Sequence, residues 1–115
     1  MTVRRLKSYT GQTGYVYQYY FVGKRPALEG PPATEYVFDV SSDRQSYFDV
    51  SIFVLESALQ AWSASHGREL SEPEQYAAAK MALFQTFDEV TDLGSVRRFV
   101  VTAEIIESLV ETLDL

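Results

Sequence analysis

A two-layer α+β fold is what this sequence predicts: a mainly antiparallel sheet of about four strands with helices packed on one face. Three observations lead there. Segments with a period of two fill the first half of the chain. Apolar residues at helical spacing follow, each run introduced by a capping signal. A last β-branched run and an amphipathic helix close the chain, so the element order is β-β-β-α-α-β-α. Helices on one side of a sheet bury both kinds of apolar face in one core.

The first strand is YVYQYYFV (residues 15–22), β-branched and aromatic, after the glycine-punctuated turn TGQTG. GKRPALEGPP (residues 23–32) holds three of the four prolines and two glycines, which reads as a long connecting loop. TEYVFDV (residues 34–40) alternates Tyr36, Phe38 and Val40 against Glu35, Val37 and Asp39. Beyond the turn SSDRQS, YFDVSIFV (residues 47–54) alternates again, and the three strands predict an antiparallel meander.

The period then changes. Ser57 and Gln60 have the spacing of a capping box, and Leu59, Trp62 and His66 follow at helical intervals before Gly67, predicting a helix over 58–66. A second box, Ser71 with Glu74, opens a longer helix with Tyr76, Ala79, Leu83 and Phe87 on one stripe and Lys80 at its edge. TDLGS (residues 91–95) ends it, and VRRFVVT (residues 96–102) predicts a fourth strand. Arg97 and Arg98 argue against a helix starting at Ser95, because cations in a first turn oppose the macrodipole. Thr102 then caps a helix with Ile105, Ile106, Leu109, Val110 and Leu113 on one face and Glu104, Glu107, Glu111 and Asp114 on another.

Length and composition narrow the function. The 115 residues read as one domain, 46% hydrophobic and 23% charged, as expected of a soluble globular protein. There is no run apolar enough for a membrane helix and no signal-peptide start, so a cytoplasmic location is expected. Zero cysteines and one histidine remove disulfides, thiolate chemistry and cysteine- or multi-histidine-ligated metals. No cofactor motif is present: GQTG and VGKRPALEG match neither phosphate-binding glycine pattern.

The net charge of -6 opposes general nucleic-acid binding. It is unevenly spread: Arg4, Arg5, Lys7, Lys24 and Arg25 all precede Glu29, the first acid of the chain. That basic, tyrosine-rich segment gives single-stranded nucleic acid as a minor alternative. The basic residues could equally pair with the acidic face of the last helix.

Strand parity sorts the aromatics. Tyr15, Tyr17, Tyr19 and Phe21 are expected to face the helices, and Val16, Gln18, Tyr20 and Val22 the other side. On that outer face Tyr20, Tyr47, Phe53 and Val37 make an unusually apolar surface. Its first expected partner is a second copy of the chain, as a homodimer formed through this face or through the amphipathic last helix. A small-molecule site between sheet and helices, lined by Tyr17 and Trp62 and serving either binding or an enzymatic reaction, is the rival expectation. Asp39 and Asp49 lie on matching faces of neighbouring strands, as a carboxylate pair for acid–base chemistry would, though carboxylates on a solvated strand are commoner. His66, in a last helical turn, fits a dipole-stabilising role. Together these features favour a non-enzymatic binding module.

Overall fold

The computed structural model describes residues 6–11, 14, 16–89 and 97–113. They form β1 (Lys7–Thr10), β2 (Val16–Pro26), β3 (Ala33–Ser41), β4 (Phe48–Leu55), α1 (Glu56–His66), α2 (Glu72–Glu89), β5 (Arg98–Val101) and α3 (Ala103–Leu113). The sheet order is β1-β2-β3-β4-β5. The first four strands are an antiparallel meander, and β5 joins β4 in parallel after the crossover through α1 and α2. The class is the expected α+β, with five strands rather than four. The strand expected over 96–102 is β5; Val96, the 91–95 break, and Gln12, Thr13 and Tyr15 lie outside the described residues.

The added strand is β1, which pairs Lys7 to Thr10 with Tyr19 to Val16. Four residues, one of them charged, are too few to show a period of two, and the partner strand supplies what their own pattern lacks. A second correction concerns residues 23–32. β2 does not stop at Val22 but continues through Gly23, Lys24, Arg25 and Pro26, paired with β3 as far as Thr34. A β-bulge between Phe21 and Gly23 makes this possible. Phe21 opposes Phe38 and Gly23 opposes Val37, which leaves Val22 as the extra residue. The side-chain parity therefore inverts there. Tyr17, Tyr19 and Phe21 point at the helices before the bulge; after it Lys24, opposite Tyr36, takes that side and Arg25, opposite Glu35, takes the outer side.

The helix-facing side of the sheet is the core. Tyr36, Phe38, Val40, Val50, Ile52, Val54 and Val101 are sealed under Ala58, Trp62, Ala79, Leu83, Phe87, Ile106 and Leu109. Three buried alanines of α2 (Ala78, Ala79 and Ala82) let that helix approach closely while large rings fill the rest. Tyr17 stacks on Phe87 at 4.4 Å, Tyr9 stacks on Phe84 at 4.4 Å, and Phe21 meets Tyr76 edge-on at 4.9 Å. Burial pushes the Tyr19 phenol up to about 12, with the neighbouring Tyr76 adding to it.

Helix boundaries follow local chemistry. Ser71 and Glu74 form the expected reciprocal box: Ser71 N–H donates to Glu74 Oε1 at 2.9 Å and Glu74 N–H to Ser71 Oγ at 3.3 Å. Gly67 ends α1 in the left-handed region, φ 72, where a side chain would be strained. The Ser57–Gln60 box is not what starts α1. β4 runs straight into the helix at Glu56, with Leu55 as an N-cap lacking a side-chain bond, and the Glu56 N–H donates to the Pro32 carbonyl at 2.9 Å. A neighbouring backbone thus supplies the acceptor that a serine was expected to give. α3 packs on α1 and α2 through Ile106, Leu109 and Val110, whereas Ile105, expected on that face, is exposed.

Candidate functional site

The helices cover one face of the sheet, so the outward-pointing residues of β2 to β5 form the second face, and most of the singled-out residues meet there. Directly opposite each other on β3 and β4 stand Asp39 and Asp49. The Tyr20 hydroxyl donates to Asp39 Oδ2 at 2.5 Å, and the Tyr47 hydroxyl donates to Gln18 Oε1 at 3.2 Å. The two tyrosine rings are 6.0 Å apart. The turn that precedes β4 is held by Asp43, whose Oδ1 accepts from the backbone N–H groups of Gln45 and Ser46, both at 2.8 Å. Those bonds hold the Asp43 carboxyl below its ordinary range.

Two carboxylates so placed cannot both ionise freely. A hydrogen bond with Asp39, then burial, then the charge of Asp39 raise the Asp49 carboxyl above its ordinary value; Arg97 and Arg25 partly offset this. Because the raised group disfavours its ionised form in the fold, the penalty is absent in acid and grows as pH rises through the carboxylate range toward the raised value. Replacing Asp49 by Asn is therefore expected to stabilise the protein at neutral pH by about 0.2–1 kcal/mol. Urea unfolding in acid should show no such gain.

At the other end of the same face lies a network that the sequence reading did not anticipate. Glu35 is only 7% exposed. It accepts from Arg25 Nε at 2.9 Å, from Arg25 Nη2 at 3.4 Å and from Ser51 Oγ at 2.6 Å. The Arg25 bond comes first among the causes that hold the Glu35 carboxyl below its ordinary range; Ser51 and the charges of Arg25 and Arg98 add to it, and burial opposes them. The bulge is what brings Arg25 here: without the extra residue its side chain would point at the helices. Arg98 of β5 crosses the neighbouring strand and sits 4.8 Å over the ring of Phe53.

Phe53 departs from expectation for that reason. It points outward but is 8% exposed. It lines two adjoining clefts together with Arg98 and Glu29, so it is a floor rather than an open surface. One cleft, of about 350 Å³, is the more polar of the two and reaches Arg25, Leu28, Glu35 and Ser51. The other, of about 230 Å³, is apolar and reaches Ala27, Pro31, Ala33, Leu55 and Val100. Tyr47 is 40% exposed, and Tyr20 and Val37 are half-buried between the two ends.

No protein-family model, curated protein or solved structure matches the chain. Its chemistry must be read from its own side chains. Tyr17 and Trp62 are both in the core. A surface cleft of about 450 Å³ between α1 and α2 is lined by Glu56, Leu59, Gln60, Ser63, Glu69 and Gln75 among others, and by neither of them; the outer-face clefts also exclude both. Tyr17 and Tyr19, facing the helices, present no open ring for stacking a base. Trp62 stacks instead on His66 at 4.3 Å, and His66 Nε2 lies 2.9 Å from Glu107 Oε1, tying the end of α1 to α3. Among the described residues no cluster of three or more metal-ligating side chains occurs, and no helix is long and apolar enough to cross a membrane.

Proposed function

We propose that this chain is a non-enzymatic binding module that self-associates through the outer face of its sheet. The observation that carries the reading is the arrangement of that face. Half-exposed Tyr20, Val37 and Tyr47 occupy its middle and one end, with Asp39 and Asp49 beside them, while Arg25 stands at the opposite end. Val37 lies midway between Asp39 and Glu35 on β3, and Ser51 midway between Asp49 and Phe53 on β4. A two-fold axis crossing the strands at that level lays the Asp39–Asp49 end of one copy over the end of the other that carries Arg98 and the Arg25–Glu35 pair, twice. Such self-complementarity is what an isologous interface requires. Amphipathic Tyr20 and Tyr47, at the acidic end beside Val37, supply contact area with little loss of side-chain freedom.

Native mass spectrometry and light scattering test this directly. The wild-type protein is expected to give a dimer mass. Val37→Glu combined with Tyr47→Glu should give a monomer with an unchanged circular dichroism spectrum, because neither side chain belongs to the core. A wild-type chain that stays monomeric at every concentration would overturn the proposal.

A further inference from the structure

The geometry points to a second use of the outer face, open to ligand where a partner copy does not cover it: the paired clefts over Phe53 bind a small amphipathic monocarboxylate, its carboxylate on Arg98 and its apolar chain along Ala33, Leu55 and Val100. Arg98 differs from Arg25 and Arg68. Arg25 is engaged by Glu35 and Arg68 by Glu74, each through two nitrogen contacts. Arg98 touches the face of the Phe53 ring and, among the described residues, donates to no acceptor. Its charge is felt by Glu35, but the Glu35 oxygens are already taken by Arg25 and Ser51. A planar fork with unspent donors, held flat against an aromatic floor, is the geometry that receives a carboxylate in two parallel hydrogen bonds.

The lining narrows the ligand further. Glu29 and Glu35 also border the polar cleft. Arg25 neutralises Glu35, which leaves Arg98 against Glu29, so a single negative charge is tolerated where a doubly charged phosphate would be repelled. Beside Arg98 the wall turns apolar: Ala27, Pro31, Ala33, Leu55 and Val100 border a half-open cleft of about 230 Å³ that shares Phe53, Glu29 and Arg98 with the more polar one. Concave apolar space with a few convergent polar groups at one end is the usual form of a small-ligand site. The short volume suits a medium-length alkyl chain rather than a long lipid.

Octanoate is the probe, with 1-octanol as its uncharged counterpart, followed by amide chemical-shift titration of the isotopically labelled full chain. Octanoate is expected to bind saturably, in a roughly millimolar range, and to shift amides in β4, β5 and residues 27–33. Arg98→Gln should weaken octanoate by about tenfold or more, to the level of 1-octanol, and leave 1-octanol unchanged. Arg98→Lys, which keeps the charge and loses the fork, should fall between. Val100→Glu, which places a carboxylate in the apolar section, should abolish the shifts and serves if Arg98→Gln proves unfolded. The inference is overturned if octanoate produces no saturable shift, if it shifts amides around the α1–α2 cleft instead, or if Arg98→Gln binds it as the wild type does. The titration is repeated on the Val37→Glu/Tyr47→Glu variant, whose changes line neither cleft and leave the face uncovered: no saturable shift there overturns this site whatever the oligomeric state, and a wild type that stays monomeric yet binds octanoate overturns self-association alone.

Discussion

Replacing Phe38 by Ala is expected to lower the unfolding free energy by about 3–5 kcal/mol, the largest effect of any single change considered. Phe38 is wholly buried at the centre of β3. Its ring lies 5.4 Å from that of Phe21 and 6.4 Å from that of Tyr76, so it couples two strands to α2. Truncation removes the transfer energy of the ring and leaves a cavity between a sheet and a helix that cannot both move in to fill it. A domain of this size has roughly 5–15 kcal/mol of stability in all. Urea denaturation should show a lowered midpoint with an unchanged slope, since the surface exposed on unfolding hardly differs. A loss below the range for an exposed side chain would mean that the sheet and α2 are less tightly joined than described.

Arg25→Met is the second. The substitution keeps the aliphatic length that lies over the outer face and removes the charge that neutralises Glu35, leaving a 7%-exposed carboxylate with Ser51 as its remaining side-chain donor. Removing one partner of a fully buried pair is strongly destabilising; with the Arg25 side chain 58% exposed, screening reduces the expected loss to a fraction of that. The pH dependence gives the sign. Glu35 is held below its ordinary value, so its contribution is present above the unfolded carboxylate range and is lost as pH falls through the folded value. Wild type and variant should differ most at neutral pH and converge in acid. A difference independent of pH would assign the effect to lost packing instead.

How much of this was legible in the sequence depends on whether the cause was local. Tyr36, Phe38 and Val40 against Glu35, Val37 and Asp39 gave the parity of β3 outright, because one face is buried and the other is not. The Ser71–Glu74 box and the Gly67 cap were also readable, since both partners of each lie within a few residues. The long loop was misread because a Gly–Lys–Arg–Pro run breaks every strand rule unless a bulge precedes it, and a bulge leaves no mark on composition. The same blind spot hid the site. Arg25 reaches Glu35 through the bulged pairing, and Arg98 reaches Phe53 across two strands far apart in sequence. Neither approach has a local signature, so Phe53 looked exposed and Glu35 looked like an ordinary solvated acid. Ser57 misled for a similar reason: the acceptor for the first turn of α1 is the Pro32 carbonyl, which only the folded chain brings near.

The parallel placement of β5 bears on the order of folding. β1 to β4 are joined by successive reversals of the chain, and contacts of that kind form at little entropic cost. β5 can pair with β4 only after α1 and α2 have been laid across the sheet, a closure over a long stretch of chain. With four residues and one neighbour it is, like β1 at the other edge, held by few ladder bonds. The meander and its aromatic interior therefore belong to the early, persistent part of the molecule, and the β5 edge to the late part that opens first. Arg98 rides on that edge while Phe53 and Glu35 stay with the meander, so the roof and the floor of the cleft are assembled at different times and can separate without the rest of the protein unfolding.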